Sequence, residues 1–159
     1  MILRKHLWLS LAVAPMLFLV VACTATQVSS ALQAAASDAN IIAIGLKADL
    51  PAIAAIQGVS PATVASIGAL VADIQTISSA ITAASSATTA LPSVQQLEAD
   101  FNGIASALSA LPLPPQVASV LQAASVLLPL IEMSTGLVVS PRAESMTPDA
   151  ARAILLGRK

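Results

Sequence analysis

Residues 93–111, SVQQLEADFNGIASALSAL, set Val94, Leu97, Phe101, Ile104, Leu108 and Leu111 at successive steps of 3, 4, 3, 4 and 3. Steps of that size return to one stripe of an α-helix, which turns once every 3.6 residues, whereas a strand would alternate at every second residue. The preceding stretch repeats the rhythm with Ile67, Leu70, Ile74, Ile77 and Ile81, and the following one with Val117, Val120, Ala124, Leu127 and Ile131. Upstream, Val28, Leu32, Ala35, Ala39, Ile42 and Leu46 form a similar stripe until Asp49 interrupts it. Four apolar stripes on segments with short connections cover one another most simply in an antiparallel bundle. The expected fold is therefore all-α: an antiparallel helical bundle of about four helices, preceded by a signal-peptide helix and followed by a short C-terminal helix.

Proline and glycine punctuate these segments. The first bundle helix is expected over about 26–50, with Pro51 kinking or ending it. Gly58 supplies a bend, and Ser60-Pro61 reads as an N-cap followed by proline in the first turn of a helix running to about 89. Leu91-Pro92-Ser93 is expected to begin the third helix. Pro112, Pro114 and Pro115 end it, because a residue before proline is pushed out of the helical region. The stretches PATVASI (61–67) and PPQVASV (114–120) look alike, as a duplicated helical hairpin or chance in an Ala- and Ser-rich sequence would each explain.

Of the 159 residues, 57% are apolar, 9% charged and 2% aromatic. The mean hydropathy of +0.87 makes membrane contact the first functional question. Seven Lys and Arg against eight Asp and Glu remove the basic field that phosphate binding needs, so nucleic acid is not expected as a partner. The single cysteine excludes an internal disulfide and any Cys-rich zinc site.

Arg4 and Lys5, the apolar run from Leu7 to Val21 and the closing Val20-Val21-Ala22-Cys23 have the plan of a signal peptide over residues 1–22. The last four residues resemble the bacterial lipobox. In that family, the residues matching Val20, Val21 and Ala22 are read by the signal peptidase. The cysteine, here Cys23, is diacylated and becomes the mature N-terminus, often carrying palmitate. The resemblance also favours export to the outer membrane, facing the periplasm, because Thr24 stands where lipoproteins retained in the inner membrane tend to carry Asp. The competing reading of the segment is an uncleaved signal anchor with Cys23 buried at its end.

Cleavage before Cys23 would remove His6, Trp8 and Phe18, leaving a mature chain without His, Trp or Tyr. Catalytic triads and His-based metal sites would then be excluded. No glycine-rich phosphate loop, nucleophile elbow or metal-ligand spacing occurs, and no cofactor is implied. Glu98 and Asp100 lie two residues apart and diverge on a helix, so they read as solvated residues rather than an acid/base pair.

The body is acidic, with Lys47 its one base against Asp38, Asp49, Asp73, Glu98, Asp100 and Glu132. Beyond Ser140 the balance reverses, with Arg142, Arg152, Arg158 and Lys159 against Glu144 and Asp149. Thr147-Pro148-Asp149 starts a short helix carrying Ile154, Leu155 and Leu156. Too short to persist alone, it must dock. The dock is either an envelope protein or polymer, or the chain's own acidic bundle.

The lipobox, the Ala/Ser-rich heptads and the terminal Arg158-Lys159 are distantly similar to the small murein lipoproteins. That resemblance would carry peptidoglycan attachment to Lys159. The prolines depart from the family's single unbroken helix.

The expected function is that of a lipid-anchored cell-envelope lipoprotein with a structural or interaction role and no catalysis. Its partners would be the membrane, through the N-terminal lipid, and an envelope protein or peptidoglycan through the C-terminal segment. The sequence leaves the oligomeric state open. The alternative is a small membrane-spanning, holin-like protein of phage or prophage lysis, because 103–131 holds no charged residue and exceeds the about 20 residues a span needs.

Overall fold

The computed structural model describes residues 6–136 and 146–157, with side chains from Gln27 onward. Among the described residues there are five α-helices and no strand: α1 (His6–Ala54), α2 (Pro61–Ala83), α3 (Ala87–Leu108), α4 (Pro115–Ser134) and α5 (Pro148–Leu155). The fold is an all-α bundle, as the four stripes require.

Helix α1 is the hub, packing along both α2 and α4, while α2 also holds α3 and α4 holds α5. Ser78 of α2 donates to the Ala36 carbonyl of α1 at 2.8 Å, and Gly68 lies opposite Leu50. Moving forward along α2 thus means moving back along α1, which makes the pair antiparallel. Alanine makes this central position available to α1. Ala35, Ala36, Ala39 and Ala43 are all buried and let neighbours approach on more than one side. Helix α3 meets α4 over only a few residues, so the α1–α2 and α3–α4 hairpins do not repeat each other's packing.

The stripes read from the sequence are the core. Val94, Leu97, Phe101, Ile104 and Leu108 are buried, as are Ile67, Ile74, Ile77 and Ile81, and all five seam positions of α4. Fully burying one such side chain stabilises by about 1.5–3 kcal/mol, so the four seams dominate the energetics.

Several boundaries differ from the sequence expectation. Helix α1 runs unbroken from His6 past Pro51 to Ala54, where a separate signal helix and a stop near 50 were expected. Pro51 frees the Lys47 carbonyl, and Lys47 is exposed, so water can satisfy it. Helix α2 stops at Ala83 rather than about 89, and α3 starts at Ala87 rather than at 91–93. The reason is a capping box. Ser86 Oγ accepts from the Thr89 amide at 3.2 Å, and Thr89 Oγ1 accepts from the Ser86 amide at 3.0 Å. This cap starts α3 early enough that Pro92 lies inside it.

The other starts follow the sequence. Ser60 Oγ accepts from the Thr63 amide at 3.1 Å, with Pro61 in the first turn of α2. Gly58 turns the preceding chain at φ +93°, a left-handed conformation that glycine adopts without steric cost. Thr147 caps α5 through the Ala150 amide at 3.3 Å.

Candidate functional site

Helix α5 lies on the chain's own bundle. Arg152 Nε donates to Asp38 Oδ1 at 2.7 Å and Nη2 to Oδ2 at 2.8 Å, a bidentate pair between α5 and α1. Its remaining nitrogen, Nη1, donates to Asp149 Oδ1 at 3.0 Å. The hydrogen bond to Asp38 holds the guanidinium pKa above its ordinary value, although partial burial opposes this. Asp38 is only 5% exposed, so the pair neutralises a carboxylate that would otherwise be isolated inside the bundle.

Three residues further on, Leu155 packs against Gly45. A Cβ at position 45 would fall 2.6 Å from Leu155 Cδ2 and 3.2 Å from Leu155 Cα. The absence of a side chain at Gly45 is therefore what lets α5 approach this closely. Arg152 faces Asp38 and Leu155 faces Gly45, so α5 runs in the same direction as α1.

Between α1, α4 and α5 a groove of about 660 Å³ remains, walled by Ala48, Pro115, Val120, Ile154 and Leu155. Asp49 lines it and is 2% exposed. Gln116 Nε2 donates to Asp49 Oδ1 at 2.7 Å, whereas Asp49 Oδ2 has no hydrogen-bond partner among the described residues. The groove is apolar apart from this carboxylate, the amide of Gln116 and the hydroxyl of Ser119, which donates to the Gln116 carbonyl at 2.7 Å.

A second buried carboxylate lies on α3. Asp100 is 4% exposed, accepts from Gln96 Nε2 at 2.7 Å through Oδ1, and has no partner for Oδ2 among the described residues. Burial pushes its pKa up, the Gln96 hydrogen bond pulls it back, and the charge of Asp73 raises it further. Glu98 is exposed as expected, but Asp100 is not the solvated residue expected beside it. Asp100 falls three residues after Leu97 and four before Ile104, which puts it on the apolar stripe.

The sequence candidates are not gathered at this groove. Val20, Val21, Ala22 and Cys23 belong to α1, in the part whose side chains lie outside the described residues. Arg158 and Lys159 also lie outside them. Among the described residues no group of three or more His, Cys, Asp or Glu could hold a metal ion. The features that sequence reasoning passed over are the Asp38–Arg152 clamp and the Asp49–Gln116 pair. Their signal was present: Asp38 lies three residues after Ala35 and four before Ile42, and Asp49 three after Leu46. A carboxylate in register with an apolar stripe must find a partner or stay buried without one.

Comparison with protein-family models, with curated proteins and with solved structures finds no match.

Proposed function

We propose that this chain is a lipid-anchored lipoprotein of the bacterial cell envelope whose helical body is a non-catalytic structural or interaction module. The reading rests on one observation about where the apolar side chains go. Helices α2 and α4 are each long and apolar enough to cross a membrane by length and composition. Yet their large side chains face the bundle, and Ile44, Met133 and Leu156 are the large apolar residues left exposed among the described ones. The outward face of α2 carries Ala65, Ser66, Ala69, Ala72, Asp73, Thr76, Ser79 and Ala80, all exposed. A helix facing lipid would present Leu, Ile and Phe there, since nothing else gains from hydrocarbon.

Beyond the apolar run from Leu7 to Val21, the high mean hydropathy comes from buried stripes and outward alanines, and the body does not need a bilayer. Attachment then falls to the N-terminus. Cys23, preceded by Val20-Val21-Ala22, is the residue suited to it, and the Thr24 that follows favours the outer membrane. Each methylene of an acyl chain contributes roughly 0.8 kcal/mol, so two or three chains hold the protein without any spanning helix.

The holin-like alternative makes the opposite demand on the same helices, and one partition experiment separates the two. Residues 24–159 produced without lipid should remain in the aqueous phase of a detergent phase separation and leave liposomes sealed. Partition into the detergent phase or release of liposome contents would favour the spanning reading instead.

A further inference from the structure

We propose that one end of the bundle rests on the bilayer surface: the end where the packed part of α1 begins, with the turn between α2 and α3 and the last turn of α4 beside it. The inference rests on the lipid-anchored reading and names the surface through which the body meets the membrane. Antiparallel packing gathers these segments. Ser78, near the end of α2, is bonded to Ala36 of α1. Helix α3 returns along α2 with Gly103 against Leu70, so its Ser86 cap stays at that end. Helix α4 starts with Gln116 on Asp49, and α1 ends soon after, at Ala54. Helix α4 therefore packs back along α1 and brings residues 133–136 to the same end.

The connection to the anchor is short and stiff. Val28 packs against the core and Leu32 is buried, so the bundle begins five residues after Cys23. Helix α1 is continuous across this stretch, and no Gly or Pro lies in it to make a hinge. Those five residues rise about 8 Å as helix and span at most about 18 Å fully extended. The far end of the bundle, where Gln57 stands between α1 and α2, lies about 33 Å further, the length of the 23-residue α2. Charge agrees with this orientation. Residues 24–37, 74–97 and 133–136 hold no charged side chain, and Glu132 is buried. The nearest other charges are the paired Asp38, Arg152 and Asp149 on the α5 flank, and the exposed acids Asp73 and Glu98 lie on the α2–α3 flank. Met133, a large apolar side chain at the near end, is 52% exposed. An uncharged end enters the headgroup boundary without desolvating ions, whereas the charged flanks do not.

The test places one fluorophore at a time on the full chain, purified from membranes and returned to phosphatidylcholine vesicles that contain a headgroup spin-labelled lipid as quencher. Thr88→Cys labels the start of α3 and Gln57→Cys the opposite end; both side chains are exposed, and unchanged circular dichroism checks the fold. The label at 88 should be quenched at least threefold more than the label at 57, equally with and without added anionic phosphatidylglycerol. Equal quenching at the two ends, stronger quenching at 57, or quenching at 88 that needs the anionic lipid would overturn the proposal. The intact mass of the same samples keeps the two readings apart. With acyl mass on Cys23, a missing signal at 88 refutes the orientation alone, whereas without acyl mass the anchored reading falls together with it.

Discussion

Asp38, Asp49 and Asp100 stand in register with apolar stripes, and each is answered differently. Asp38 receives a guanidinium, while Asp49 and Asp100 receive one glutamine amide each and keep an oxygen without a partner among the described residues. For Asp100 the pKa is raised, chiefly by burial, so folding disfavours its charged form. The contribution to stability is then fully present below the ordinary carboxylate value near 3.9 and is lost as pH rises through the higher folded value. Asp100→Asn removes the charge and keeps an acceptor for Gln96. It should stabilise the protein by about 1 kcal/mol at neutral pH. Melting temperatures measured at pH 3 and pH 7 check this, with the gain expected at pH 7 and absent at pH 3. At Asp38 the expected sign is reversed. Arg152→Ala leaves a nearly inaccessible carboxylate without its cation and should cost about 1–3 kcal/mol, the lower end reflecting the half-exposed arginine.

Helix α5 has eight residues, too few to hold together in water without docking. Its stability comes from the Arg152 clamp and from Leu155 on Gly45. Gly45→Leu would improve the intrinsic propensity of α1 by up to about 1 kcal/mol. Nevertheless it should drive α5 off, because the new side chain must occupy the place of Leu155. Hydrogen exchange should then accelerate at the amides of residues 151–156 and stay slow at Ile74 and Leu97. At the start of α3, Ser86→Ala removes one half of the capping box and should cost about 1 kcal/mol, read as a lower melting temperature.

The same two places show what was legible in the sequence. The stripes at Ile67–Ile81, Val94–Leu108 and Val117–Ile131 were readable because burial repeats at the helical period, and all three are core. The start of α3 lies earlier than Pro92 suggests, because Pro92 is a strong local signal, whereas Ser86 and Thr89 are a cap formed by two ordinary hydroxyl residues in a stretch full of them. The α5 clamp joins residues 114 apart in sequence, and no local period encodes such a pairing. For the groove, Asp49 was visible as an interruption of a stripe. Its meeting with Gln116 depends on how α4 returns along α1.

At the scale of the molecule, composition and architecture point in different directions until side-chain placement is considered. A mean hydropathy of +0.87 suits a membrane protein, and α2 and α4 pass a length and apolarity test for spanning. Most of their isoleucines, leucines and valines nevertheless close against the bundle, and the outward face of α2 is Ala, Ser, Thr and Asp. Because the bundle turns its large apolar side chains inward, the proposed membrane attachment rests on Cys23 rather than on α2 or α4. The protein would hang from the membrane by lipid, with its folded body and α5 docked on itself. Any partner would then meet the exposed outer faces or the groove rather than a free C-terminal helix. The most direct measurement is the intact mass of the protein extracted from the membrane fraction of the cells that make it. A chain beginning at Cys23 that carries added acyl mass is the expected result; a chain that retains residues 1–22, or one that begins at Cys23 without acyl mass, would contradict lipid anchoring.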